Sequence, residues 1–221
     1  MPVQLTPRKY KVNYGEFYGI GANGNLWVED CDAKALADRF GTPLFIISES
    51  QFRYTYRQFR DAFRAQYPDV EILFANKSSN GLAIRHIMNQ EGAGGDCFGV
   101  NEMYLALLAG TNPKTLVLNG SNKQTEELEM AVQNGLCINI DAMDELDRIE
   151  AICVKLGTDA DIGIRLKLDL EPLAKLKGVA MHGPGTLKEQ SDSTKWGMTR
   201  EQTVAIIKRA QASRHLKLKE T

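Results

Sequence analysis

From Asp32 onward the chain alternates short apolar runs with amphipathic stretches of about 10 to 15 residues, a pattern that points to βαβ units on a parallel sheet. The runs Leu44-Phe45-Ile46-Ile47, Ile72-Leu73-Phe74-Ala75, Leu116-Val117-Leu118 and Ile138-Asn139-Ile140 read as strands buried on both faces. Strands are expected over Pro43–Ser48, Glu71–Ala75, Gly94–Cys97, Thr115–Asn119, Cys137–Ile140 and Asp161–Leu168. Helices are expected over Ser50–Gln66, Gly81–Gln90, Asn101–Ala109, Gln124–Asn134, Met143–Leu156 and Thr199–Ala212, with Ser48 or Ser50 capping the first. Leu216 to Thr221 looks like the start of a further strand. A natural domain rarely stops on such an edge, so a fragment or a truncated reading frame is expected.

Two architectures compete, an open doubly wound sheet and a closed (β/α)8 barrel. No G-x-G-x-x-G follows the first strand, which weakens the dinucleotide-binding form. Gly19 to Gly24 has that spacing by accident: it precedes the first βα unit and no helix is expected after it. The residues before Asp32 mix aromatics with glycine and read as short strands and turns.

Charge excludes little and favours nothing. The formal net charge is -1, which gives no electrostatic case for nucleic acid or an anionic membrane as partner. Met1 to Tyr14 is polar, unlike a secretory signal, and no run of about 18 apolar residues exists to span a membrane. Cys31, Cys97, Cys137 and Cys153 form no C-x-x-C pair, so no metal is expected. Three of the four lie in apolar surroundings, where a reduced, buried thiol is expected, and a reducing cytoplasm fits best.

In a barrel, chemistry gathers at the C-terminal ends of the strands. The expected strands deliver there Lys77, Asp96, Asn119, Asp141 and Arg165. No acidic residue follows Lys77 within five positions, so it can be drawn into a partly desolvated pocket where a neutral amine forms a Schiff base. The plain alternative is a lysine whose ammonium reaches into water. Asp96, after two glycines, also reads as a turn-former. Arg165 also reads as half of a structural ion pair, and Glu102 as a first-turn residue favoured by the helix dipole. His182 reads as a solvated loop histidine, His86 as structural and Cys97 as a packed thiol.

Phe74-Ala75-Asn76-Lys77-Ser78-Ser79-Asn80 resembles the Y-A-x-K-A-N segment of the fold-type III pyridoxal-phosphate-dependent decarboxylases, the family of diaminopimelate, ornithine and arginine decarboxylases. Thr42-Pro43-Leu44-Phe45 is similar to its T-P-L-Y, and Gly92-Ala93-Gly94-Gly95-Asp96 to its G-x-G-x-D, with Asn101-Glu102 in place of G-E or T-E. Asn119-Gly120-Ser121-Asn122-Lys123 is similar to its G-N-x-K, Asp141 to Leu146 to its D-S-x-x-E-L, and Lys195-Trp196-Gly197 to its K-F-G. Arg165 stands where the family has L-R-x. The matches are collinear from about residue 42 to 198.

The resemblance implies an α/β fold: an incomplete, alanine-racemase-like (β/α)8 barrel of about six βα units over residues 32–221. Residues 1–31 would be a β-rich segment belonging to a C-terminal β-domain. It implies pyridoxal 5'-phosphate as cofactor, with Lys77 as its catalytic attachment and Asp96 and Arg165 close by. Glu102 and Asn119 would support the site, and Lys195 would lie at a dimer contact. The implied substrate is a basic or diamino amino acid, first of all meso-diaminopimelate, decarboxylated to lysine by a cytoplasmic homodimer. Ornithine, arginine or carboxynorspermidine are alternatives. So are a racemase, a single-barrel cofactor-homeostasis protein, or a non-catalytic barrel regulating a full-length partner. Family members continue with H-x-G-S, a glycine-rich phosphate loop and E-P-G-R, which this sequence does not contain. Weak cofactor retention and little activity are therefore expected of the chain as written.

Overall fold

The computed structural model describes residues 17–167 and 195–219, together with Glu189. The chain divides into two units, Met1–Val70 and Glu71–Thr221. His182 lies outside the described residues.

In the first unit, β1 (Tyr18–Ile20), β2 (Leu26–Val28) and β3 (Cys31–Asp32) form an antiparallel sheet in that order. The Asp32 carboxylate accepts the Lys34 amide at 2.8 Å and opens α1 (Ala33–Phe40), a helix the sequence pattern did not announce. Ser48 caps α2 (Glu49–Arg64), its Oγ accepting the Gln51 amide at 3.0 Å. The expected strand Pro43–Ser48 does not form: no strand pairs with it among the described residues, and Phe45 is 94% exposed. An apolar run becomes a strand only where a neighbour takes up its backbone hydrogen bonds.

The second unit carries β4 (Leu73–Ala75), β5 (Gly94–Cys97), β6 (Leu116–Leu118), β7 (Cys137–Ile140), β8 (Ala160–Ile164) and β9 (Leu216–Leu218). All pairings are parallel, and the strands lie side by side in chain order. A doubly wound sheet reverses its strand order at a switch point. This one does not, and sequential order is that of a barrel wall, so the unit is part of a (β/α) barrel. The helices α3 (Leu82–Gln90), α4 (Val100–Leu108), α5 (Thr125–Asn134), α6 (Met143–Leu156) and α7 (Arg200–Ala212) follow strands. α3 to α6 each touch the next in line, and α7 packs on α6 and β9. Gly94 is forced by this packing: a Cβ there would meet the Thr115 carbonyl oxygen at 2.4 Å and Leu73 Cδ2 at 2.3 Å.

Side chains alternate across a strand. Cys97, Leu116, Leu118, Ile138, Ile140 and Ile162 join the helices in one fully buried core. The alternate residues Asp96, Asn139 and Gly163 therefore face the other way and are half-buried, with buried Val117 on the same face. The strands are thus apolar toward the helices and partly polar on the opposite face.

An ion pair crosses the core margin. Lys123 and Glu145 each keep 2% side-chain exposure and meet at 2.9 Å. Lys123 Nζ also donates to the Gly120 carbonyl at 2.7 Å, and Glu145 Oε2 accepts the Asp141 amide at 2.9 Å. The pair ties the turn after β6 to the turn after β7. Removing one partner leaves the other charge buried and unpaired. Lys123→Ala is predicted to cost about 3 to 5 kcal/mol in urea unfolding, whereas Lys123→Met with Glu145→Leu recovers most of that loss. Equal losses in the two variants would contradict the assignment.

Candidate active site at the strand ends

Lys77 sits in a single 3-10 turn, Asn76–Ser78, directly after β4. Three buried groups hold that turn. Arg85 of α3 donates to Asn76 Oδ1 at 2.9 Å, and Asn76 Nδ2 donates to Cys97 Sγ at 3.1 Å. Arg85 also donates to the carbonyls of Ala93 and Gly94, each at 2.9 Å, and to Thr111 Oγ1 at 3.3 Å. A guanidinium 2% exposed, spread over neutral acceptors, thus fixes the residue before Lys77. Nothing in the helical periodicity of residues 82–90 marks Arg85 as inward-facing.

The Lys77 side chain itself is exposed, with Nζ 4.5 Å from the centre of the Phe98 ring. Of the two environments open to this lysine from sequence, a desolvated pocket and water, the side chain takes water. β4 pairs only with β5 among the described residues, and the Phe98 ring lies against the amine. Phe98 is held in turn by Glu102, whose Oε2 accepts the Phe98 amide at 2.9 Å across the start of α4.

Asp96 lies on β5, one strand over, and Ala75 is its register partner on β4. Lys77 follows that partner by two residues, so amine and carboxylate leave the same end of adjacent strands. Asn119 Nδ2 donates to Asp96 Oδ1 at 2.5 Å, and Asn139 Nδ2 donates to Asn119 Oδ1 at 2.8 Å. Asn139 stands at a strand end in the sequence, but only the register reveals what it touches.

Arg165, just past β8, forms a second cluster. Its Nη1 lies 3.3 Å from Asp141 Oδ1, and its guanidinium is 5.2 Å from the Trp196 ring centre. Asp141 also accepts the Gly197 amide at 3.0 Å. Residues 165–167 hydrogen-bond to Met198, so the Lys195-Trp196-Gly197 segment is stitched to the end of β8. Lys195 is exposed, 5.4 Å from the Trp196 ring centre. A cavity of about 450 Å³ opens here, lined among others by Asp141, Glu145, Lys167 and Lys195. The site residues thus fall into two groups, Lys77 with Asp96, Asn119 and Glu102, and Arg165 with Lys195. No hydrogen bond or ion pair joins these two sets directly among the described residues.

A primary amine within reach of solvent, with a carboxylate on the adjacent strand, suits covalent capture of a carbonyl compound. Pyridoxal phosphate carries such a carbonyl, so these donors fit its attachment. Among the described residues, no cluster of metal-ligating side chains occurs. No helix is long and apolar enough to cross a membrane.

The thiols stand apart from this chemistry. Burial pushes the Cys97 thiol up to about 12 and that of Cys153 to about 11, with the Asn76 contact pulling Cys97 slightly back. A raised thiol stays protonated at pH 8, so neither is a nucleophile there. The fold gains from the neutral form below the ordinary thiol range and loses that gain as pH climbs toward 12. In the native chain at pH 8, a disulfide reagent is predicted to label half-buried Cys31 at least about 100-fold faster than Cys97. Equal rates would contradict the burial argument.

Residues 51–219 match the family model described as pyridoxal-dependent decarboxylase, pyridoxal binding domain. The diaminopimelate decarboxylase of Methanothermobacter thermautotrophicus is 34% identical over 154 residues, covering 70% of this chain and 34% of that protein. That of Aquifex aeolicus is 35% identical, covering 68% of this chain and 35% of that protein. That of Pseudomonas aeruginosa is 28% identical, covering 89% and 45%. The crystal structure of diaminopimelate decarboxylase from M. jannaschii in co-complex with L-lysine superposes with a TM-score of 0.80 at 25% identity, covering 93% of this chain and 46% of that one. The chain therefore spans about a third to just under half of the length of these relatives.

Proposed function

The chain belongs to the pyridoxal-dependent decarboxylases by their pyridoxal binding domain, and from that membership we propose that it supplies the cofactor-holding half of a decarboxylase acting on meso-diaminopimelate. The observation that carries this reading is the placement of Lys77 at the C-terminal end of β4, beside Asp96 on β5. The curated relatives cited above are diaminopimelate decarboxylases, and the M. jannaschii structure holds L-lysine, which supports the diamino-acid substrate.

When bound, pyridoxal phosphate supplies a conjugated ring that accepts the electron pair left as carbon dioxide departs. This chain's residues hold and orient. Lys77 Nζ would hold the cofactor, offering its amine as the attachment point for the aldehyde carbon. Phe98 fixes where that amine rests, and Glu102 fixes Phe98 through its backbone amide. Asp96 offers a carboxylate on the adjacent strand. Arg165, bound to Asp141 and laid on Trp196, offers a cation whose direction is set before any ligand arrives.

On the same reading, residues 1–31 belong with a β-domain and 32–221 with the barrel. Lys195 lies at the contact with a second copy, and the enzyme works in the cytoplasm.

The test is reduction with borohydride after mixing the chain with pyridoxal 5'-phosphate, followed by peptide mass mapping. The adduct is predicted on Lys77, and Lys77→Ala is predicted to lower trapping to background with the thermal midpoint unchanged. The yield is predicted to be low, since the sequence holds no H-x-G-S, phosphate-loop or E-P-G-R segment, and a dominant adduct on another lysine would sink the assignment. Release of carbon dioxide from meso-diaminopimelate, compared with ornithine and arginine, tests the substrate.

A further inference from the structure

The half of the site around Asp96 contains a directional chain of amides. Asn139 on β7 donates to Asn119 beyond β6, and Asn119 donates to Asp96 on β5. Each link spans one strand, so the chain runs across three adjacent strands on the face away from the helices. It ends on a carboxylate, which can only accept when ionised. Asp96 Oδ1 is taken by this bond, and its side chain makes no other hydrogen bond among the described residues. Asn119 cannot turn its amide over without facing Asp96 with an oxygen, and Asn139 holds it against that rotation by giving its own N–H to the Asn119 oxygen.

The next strand makes room for the arrangement. Gly163 on β8 is the register partner of Asn139, and a Cβ at that position would lie 2.1 Å from Asn139 Oδ1 and 3.2 Å from its Cγ. Any residue but glycine would push the Asn139 amide aside. Four consecutive strands thus contribute to how one carboxylate is held.

We propose that Asn139 is a positioning residue that acts through Asn119 to set the Asp96 carboxylate, consuming Oδ1 and reserving Oδ2 for the ligand anchored at Lys77, with Gly163 as the space the relay requires. The role toward that ligand rests on the reading of Lys77 given above; the relay itself does not.

The test separates the two. In isotope-labelled chain, the Asn119 side-chain amide is predicted to show one proton shifted downfield by the carboxylate. That resonance is predicted to move in Asp96→Asn, in Asn139→Ala and in Gly163→Ala, and to stay in place in Lys77→Ala. An Asn119 resonance indifferent to Asn139→Ala would overturn the relay, whatever the cofactor does. For the ligand role, pyridoxal 5'-phosphate affinity is measured by titration. Asn139→Ala and Gly163→Ala are each predicted to weaken it about 3- to 10-fold, and the double variant no further than either alone, because both act at one link. Additive losses would mark Gly163 as a separate structural requirement and overturn its place in the relay. Unchanged affinity in both single variants would overturn the positioning role. If the wild-type chain forms no adduct at Lys77, the cofactor reading and the ligand role fail together, while the amide resonances still decide the relay.

Discussion

The two-residue alternation of a parallel strand governs where the strand-borne groups of the barrel unit stand. Leucine and isoleucine at 116, 118, 138, 140 and 162 go to the helices, so Asp96, Asn139 and Gly163 go to the opposite face. A slip of one residue in β7 would turn the Asn139 amide into the apolar layer and expose Ile138 and Ile140. The apolar core therefore does more than stabilise. Its pattern sets the register, and the register aligns Ala75 with Asp96 and Asn139 with Gly163.

Above the sheet, buried polar groups convert that register into fixed turns. Arg85 reaches from α3 to Asn76, and Asn76 reaches Cys97, so the turn bearing Lys77 is tied to both its own helix and the next strand. Lys123 and Glu145 do the same for the turns after β6 and β7, and Glu145 holds the Asp141 amide. Asp141 then receives Arg165 and Gly197. Each charge has an oriented partner before a ligand arrives, which is the condition for a site that spends little energy on reorganising.

The sequence carried much of this. Gly94–Cys97, Cys137–Ile140 and Met143–Leu156 fall where the apolar periods and turn residues place them. Of the two serines expected to cap α2, Ser48 does so. What stayed hidden depends on distant partners. Leu44 to Ile47 reads as a strand but has no strand to pair with among the described residues. Arg85 looks like any helix cation until Thr111 and two carbonyls close around it. The exposure of Lys77 follows from its place on an edge of the described sheet, a property no local window contains. Asn139 acquires meaning only from the pairing of β6, β7 and β8.

Lys77 and the Asp96 carboxylate leave the same end of adjacent strands, where the amine is proposed to take up an aldehyde. A crystal structure of the chain soaked with pyridoxal 5'-phosphate tests this most directly. Continuous density is expected from Lys77 Nζ into the ring, on the sheet face that bears Asp96 and Asn119. Density joined to a different lysine, or a ring lodged against the helix layer, would contradict it.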